Sequence, residues 1–264
     1  MRAAAVQLQS TPDRDRNLQT ADRLTREAAK AGAELIVLPE KWPALGTPEQ
    51  TIAAAEPLDG PVVQWATSIA SELGVDLVAG SFTEHVPDDD RERNTSIHVG
   101  PDGSIQASYR KIHMFDVEVG GRVYKESEHE APGDEIVVSR TADNVGLGMS
   151  ICYDVRFPEL YRALGELTLI IVPAAFTQRT GRAHWEILLR ARAVENQCYV
   201  LAAAQTGEHP GGRRTFGHSM LVDLWGDIVA AQAEGEGVVV GDIDPARISD
   251  VRARLPALAH RTLR

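Results

Sequence analysis

Cysteine is scarce in this 264-residue sequence: only Cys152 and Cys198 occur, which excludes a disulfide-built scaffold and leaves free thiols as the expectation. The eight histidines form no HExxH pair, there is no CxxC, and neither a Walker motif nor a strand-to-helix GxGxxG is present. Nothing therefore points by motif to zinc, a bound nucleotide or a dinucleotide, and the expectation is an activity without a metal or cofactor. Positive charge is also short. With 27 Lys+Arg against 38 Asp+Glu, the formal net charge is −11, which disfavours general binding to nucleic acid or to an anionic membrane surface. The opening MRAAAVQLQS reaches polar residues before an apolar run of secretory or membrane-spanning length can form, so a cytoplasmic location is expected.

What is present is alternation of strand-like and helix-like segments, with no Pro/Gly/Ser-rich linker, internal repeat or low-complexity tract. This pattern predicts one continuous α/β domain over residues 1–264. Leu18, Ala21, Leu24 and Ala28 make an apolar helical stripe that Gly32 can end, and Val62, Trp65, Ile69 and Leu73 make a second one behind Pro61. Short apolar runs such as ELIVLPE, LTLIIVPAAF and QCYVLAAAQ read as buried strands. NTSIHVG and SIQASYRK flank Pro101 and Gly103 as the arms of a hairpin. EHVPDDDRER reads as a solvated connection, because consecutive like charges are best hydrated at a surface.

Specific chemistry emerges when four separated segments are taken together: LPE with Glu40, YRK with Lys111, YKES with Glu126 and ICYD with Cys152. A carboxylate can activate a thiol, the sulfur can attack an electrophilic carbon, and an ammonium can stabilise the negative oxygen that results. Each residue also has an ordinary reading: a capping or surface carboxylate for Glu40, basic surface for Lys111, a buried apolar thiol for Cys152. Cys198, inside the apolar QCYVLAAA, reads as a structural thiol.

These words and their surroundings resemble the nitrilase-like carbon-nitrogen hydrolase family over essentially the whole chain. YRKIHMFDV, ICYDVRFPEL, AHWEILLRARAVENQCYVLAAAQTG and GHSMLVDLWG are most similar to the family's deaminated glutathione amidases, with omega-amidases close by. The resemblance implies a four-layer α-β-β-α sandwich of two sheets, association into a homodimer or larger homo-oligomer, and a small α-keto acid amide as substrate. It maps the catalytic triad onto Glu40, Lys111 and Cys152, and a supporting glutamate onto Glu126. Glu128 competes for that last position because the segment VEVGGRVYK is one residue shorter than the omega-amidase pattern. Tyr153 is expected to offer its backbone N–H to the oxyanion, Phe176 and Thr177 to line the acyl pocket, and Asp154 and Arg156 to form an ion pair beneath the nucleophile loop. His184 and Trp185 are expected to support helix packing.

Overall fold

The computed structural model describes residues 1–87 and 89–262. Two sheets face one another. The first contains β17 (Gly237–Asp242), β1 (Arg2–Gln7), β2 (Leu35–Val37), β3 (Asp76–Val78), β5 (Arg93–Val99) and β4 (Phe82–Glu84) in that spatial order, with β6 (Ile105–Arg110) also paired to β5. The second runs β16 (Ile228–Gln232), β15 (Ser219–Val222), β12 (Tyr199–Ala204), β11 (Leu169–Ala174), β10 (Gly146–Met149) and β9 (Val138–Arg140).

Period-two alternation builds the layers. Ala4 and Val6 of β1 face α1 (Arg14–Lys30) and α3 (Pro61–Leu73), whereas Ala3 and Ala5 face the other sheet. On β11, Ile170 and Val172 point toward α4 (Pro158–Ala163) and α6 (Glu186–Asn196), while Leu169 and Ile171 turn inward to meet Ala3, Ala5, Leu35 and Val37. The central strands are thus covered on both faces, which is why they read as unbroken apolar runs instead of alternating ones. The result is the expected α-β-β-α sandwich, with α7 (Pro245–Arg254) closing one edge through Ile248.

The expected helices and the hairpin at Pro101–Gly103 are present, and Gly32 follows α1 with φ +86°. Several smaller elements add walls around the functional end of the sandwich. They are α2 (Pro48–Ile52), the hairpin β7 (Asp116–Val119) with β8 (Arg122–Lys125), α5 (Gln178–Thr180), and the ribbon β13 (Thr206–His209) with β14 (Arg213–Phe216). The acidic connection is not wholly solvated: Glu84 is buried because it accepts from Thr95 Oγ1 and receives the Arg110 guanidinium. Asp88, which belongs to the same run, lies outside the described residues.

Candidate active site

Each chemistry-bearing residue stands just beyond a strand end, and the aligned strands carry distant segments to one place. Glu40 follows β2 through a tight turn that Gly80 makes possible: its φ is +53°, and a Cβ there would lie 2.1 Å from the Pro39 carbonyl oxygen. Lys111 follows β6, where its N–H bonds to Asn94 O at 2.9 Å. Cys152 follows β10 after Ser150 and Ile151 and holds φ at +49°, a left-handed conformation that a non-glycine residue keeps only when its surroundings impose it. Glu126 opens the short 3₁₀ turn Glu126–Glu128 at the end of β8.

Asp154 supplies the force that holds the cysteine turn. Fully buried, it accepts from Ile151 N at 2.8 Å, Tyr109 Oη at 2.7 Å, His113 N at 3.1 Å and His113 Nδ1 at 2.7 Å. The expected Asp154–Arg156 pair is therefore not formed. The carboxylate is saturated by donors from the nucleophile loop and the chain after Lys111, so Arg156 instead lies beside His184 and over the rings of Tyr153 and Phe176.

Glu40, Lys111, Glu126 and Cys152 converge. Lys111 Nζ donates to Glu40 Oε1 at 3.1 Å and to Glu126 Oε2 and Oε1 at 2.7 and 2.9 Å. Glu40 is 3% exposed and Lys111 1%, so these charges are satisfied by one another and not by water. Asn94 Nδ2 donates to Glu40 Oε1 at 2.9 Å, and the Ala175 N–H donates to Glu40 Oε2 at 2.8 Å. The Cys152 thiol lies beside the Glu40 carboxylate, near enough that each group perturbs the other's ionisation. Glu126, which also accepts from Phe115 N at 2.7 Å, is the glutamate that meets Lys111; Glu128 turns out to solvent and pairs with Lys125.

The electrostatics divide the roles. Burial is the largest single influence on the Glu40 carboxyl and would raise it, yet the Lys111 and Lys41 ammoniums with the thiol beside it together outweigh that and hold the group below the ordinary carboxylate range. Glu126 is held down in the same way by Lys111 and Lys41 against the effect of burial. Lys111 is raised, because Glu126 and Glu40 overcome the desolvation that would otherwise neutralise it. The Cys152 thiol is pushed well up by burial and then by the neighbouring Glu40 charge. The resting arrangement is thus a carboxylate, an ammonium and a neutral thiol.

A cavity of about 360 Å³ opens above these groups. Tyr153, Phe176 and Thr177 all border it. The Tyr153 ring stands edge-on to Phe115 and Phe157; Phe176 also packs on Trp185, with ring centroids 4.8 Å apart; Thr177 Oγ1 caps the turn by accepting from Thr180 N. Trp185 is buried and donates to His218 O, whereas His184 is exposed. Cys198 is buried just before β12 and is hydrogen-bonded to no carboxylate among the described residues, and burial pushes its thiol up to about 12.

Sequence reasoning missed Lys41, Asn94, Glu130 and Arg213. Lys41 bonds Glu130 at 2.8 Å and Glu126 at 3.4 Å, and Glu130, raised to about 7 by burial against the pull of Lys41, completes the charged floor. Lys41 is marked in the sequence only by following Glu40; the others come from segments without a chemical signature of their own. Among the described residues, no group of three His, Cys, Asp or Glu side chains is placed to hold a metal ion, and no helix is long and apolar enough to cross a membrane.

Comparison with known proteins adds a family context. The family model described as carbon-nitrogen hydrolase matches residues 2–253. A deaminated glutathione amidase of Synechocystis is 42% identical over 264 residues, covering 98% of this chain and 97% of that protein. An omega-amidase of Xenopus tropicalis is 36% identical over 258 residues, covering 97% of this chain and 92% of that protein. Among solved structures, Saccharomyces cerevisiae Nit3, a member of branch 10 of the nitrilase superfamily, superposes with a TM-score of 0.88 at 33% identity, covering 100% of this chain and 97% of that one.

Proposed function

The chain belongs to the carbon-nitrogen hydrolase family, and from that premise we propose that it hydrolyses the amide bond of deaminated glutathione, releasing 2-oxoglutarate and cysteinylglycine. The observation that carries the reading is the buried meeting of Glu40, Lys111 and the Cys152 thiol on the floor of one cavity. The 42% identity to a deaminated glutathione amidase along nearly the whole of both chains supports the choice of substrate.

In this mechanism Glu40 takes the thiol proton as the Cys152 sulfur bonds to the amide carbon, and the carbonyl electron pair moves onto oxygen. An ammonium has three hydrogens, so Lys111 can satisfy its two carboxylates and still donate to that oxygen. Tyr153 stands in the first turn of the short 3₁₀ segment Cys152–Arg156, where a backbone N–H has no intrahelical acceptor, and supplies the second donor. Protonated Glu40 then gives its proton to the departing nitrogen as the C–N bond breaks. Water attacks the remaining thioester, Glu40 accepts its proton, and collapse expels the sulfur, which is reprotonated as the carboxylic acid leaves. Glu126 keeps Lys111 charged and aimed, while Phe176 and Thr177 border the acyl chain. No cofactor enters any step.

The same reading takes residues 1–264 as one hydrolase domain, working in the cytoplasm as a homodimer or larger assembly. Exposed Ile187, Val194 and Trp225 give an apolar surface suited to self-association.

Product analysis tests the substrate. Purified protein is incubated with deaminated glutathione and, in parallel, with 2-oxoglutaramate, with Cys152→Ala as the control. The expected result is cysteinylglycine formation that the variant abolishes while remaining folded. Efficient ammonia release from 2-oxoglutaramate without detectable cysteinylglycine would replace this reading with an omega-amidase one.

A further inference from the structure

The charged floor of the cavity continues past the groups that the reaction uses. Glu40, Lys111, Glu126, Lys41 and Glu130 form a row of alternating sign, with successive contacts of 3.1, 2.7, 3.4 and 2.8 Å. The first three members already have parts in the chemistry; Lys41 and Glu130 have none. Their side chains are only 12% and 3% exposed. A buried ion pair is a poor source of stability, because desolvation of both groups offsets their attraction, so stability alone is a weak reason for this one.

The backbone at Lys41 is unusual as well. The residue follows the base directly and holds φ at +51°, a left-handed conformation disfavoured for any side chain with a Cβ. Its N–H donates to Ser81 Oγ at 3.0 Å, and the indole of the next residue, Trp42, donates to Ala79 O at 2.9 Å. The turn is thereby pinned at Lys41 and just after it, and it carries the ammonium along the cavity wall to Glu126 Oε1 at 3.4 Å. That oxygen also accepts from Lys111 Nζ at 2.9 Å and from Asn94 Nδ2 at 3.4 Å. Lys41 and Lys111 therefore draw on the same carboxylate oxygen.

We propose that Lys41 is a positioning residue for the hydrolysis: by sharing Glu126 Oε1 it loosens the hold of that carboxylate on Lys111, leaving Lys111 free to turn its charge to the substrate oxygen. In the resting site Lys111 balances Glu40 and Glu126. As the Cys152 sulfur attacks, the thiol proton passes to Glu40, which becomes neutral, and the carbonyl electron pair becomes a charge on the substrate oxygen. Two anions again compete for Lys111, and only the bond to the oxyanion lowers the barrier. A cation behind Glu126 weakens the other competitor alone. Glu130 ends the row by fixing Lys41 in place at 2.8 Å. The inference rests on the hydrolase reading above, but not on which amide is the substrate.

Steady-state kinetics of Lys41→Met, Lys41→Arg and the double variant Lys41→Met/Glu130→Gln test it, on deaminated glutathione and on 2-oxoglutaramate. K41M is expected to lower kcat about 30-fold and to change KM less than about threefold, because the interaction counts only in the transition state. K41R keeps the charge and is expected to recover to within about fivefold of wild type. The double variant, in which no unpaired Glu130 charge is left buried, is expected to retain the kcat deficit of K41M. Alkylation of Cys152 by iodoacetamide builds no oxyanion, so at pH 8 its rate is expected to move less than about threefold in K41M. A kcat near wild type in K41M, full recovery in the double variant, or alkylation falling in step with kcat would overturn the positioning role. A raised KM at unchanged kcat would also overturn it, by making Lys41 a substrate-binding group. Wild-type activity on 2-oxoglutaramate alone, with the K41M deficit present, would support the role and refute only the substrate proposed above, whereas no wild-type turnover of either amide would overturn both.

Discussion

Lys111→Met removes the ammonium while keeping most of its apolar stem. It leaves Glu40 and Glu126, previously 3.1 and 2.7 Å from Nζ, without their shared cation on a largely buried cavity floor. Removing one partner of a buried ion pair costs about 3–5 kcal/mol, because the other charge stays buried and uncompensated. Lys41 remains 3.4 Å from Glu126 and offsets part of this, so the expected loss at pH 8 is about 3 kcal/mol.

The pH dependence has a definite sign. In the wild type both carboxyls are held below their ordinary value of 4.5. The stability they contribute is therefore present above about pH 4.5 and is lost as pH falls through their depressed values. Without Lys111, burial dominates Glu40 and raises it, so its contribution is present below about pH 4.5 and lost as pH rises. The stability gap between the two proteins should be widest at pH 8 and narrow toward pH 5. Urea unfolding at pH 5, 6.5 and 8 measures it. Alkylation of Cys152 by iodoacetamide gives an independent reading: the acid limb of its rate lies below pH 4.5 in the wild type and moves upward in the variant. A gap that is the same at every pH, with an unmoved acid limb, would show that Lys111 does not keep Glu40 ionised.

Asp154→Asn keeps the shape of a side chain that accepts four hydrogen bonds but turns one of its oxygens into a donor. It should cost about 1–3 kcal/mol and, by loosening the cysteine turn, about 100-fold in kcat. Thermal unfolding and steady-state kinetics measure the two effects, and unchanged kcat would deny Asp154 its positioning role. Gly80→Ala puts a Cβ 2.1 Å from Pro39 O at a position with φ +53°. The strain should cost about 1–3 kcal/mol and displace Glu40, so the alkylation rate of Cys152 should fall; a rate equal to wild type would show that the turn can relax without moving the base.

Much of the fold could be read because it is written in local patterns. Leu18 to Ala28 repeats at helical spacing, and the runs around Ile170 and Leu201 are apolar on both faces because they are buried on both faces. The catalytic words were legible for a related reason. Glu40, Lys111 and Cys152 each sit in the turn that ends a strand, and a strand's end is marked by its neighbours in sequence. The small hairpin at Asp116–Lys125 went unread although its signal is local: Val117 and Val119 alternate with Asp116 and Glu118 before the Gly120–Gly121 turn, and the half-buried face they share with Tyr124 leans on the cavity rim, where Arg122 reaches Gly211 and Phe115 meets Tyr124.

Charge balance belongs to a different level of information. The expectation that Asp154 pairs with Arg156 came from their closeness in sequence, and it failed because a buried carboxylate is claimed by whatever donors the fold brings nearest; here those are Tyr109 and His113. Lys41 and Glu130, 89 residues apart, and Glu40 and Asn94, 54 apart, are partners for the same reason. A composition of −11 suggests repulsion of anions, yet on the cavity wall three lysines, Arg122 and Arg213 face four glutamates, so the local balance has the opposite sign. Net charge governs what the whole surface attracts from a distance, whereas the ligand meets only the charges left over after each buried pair is formed.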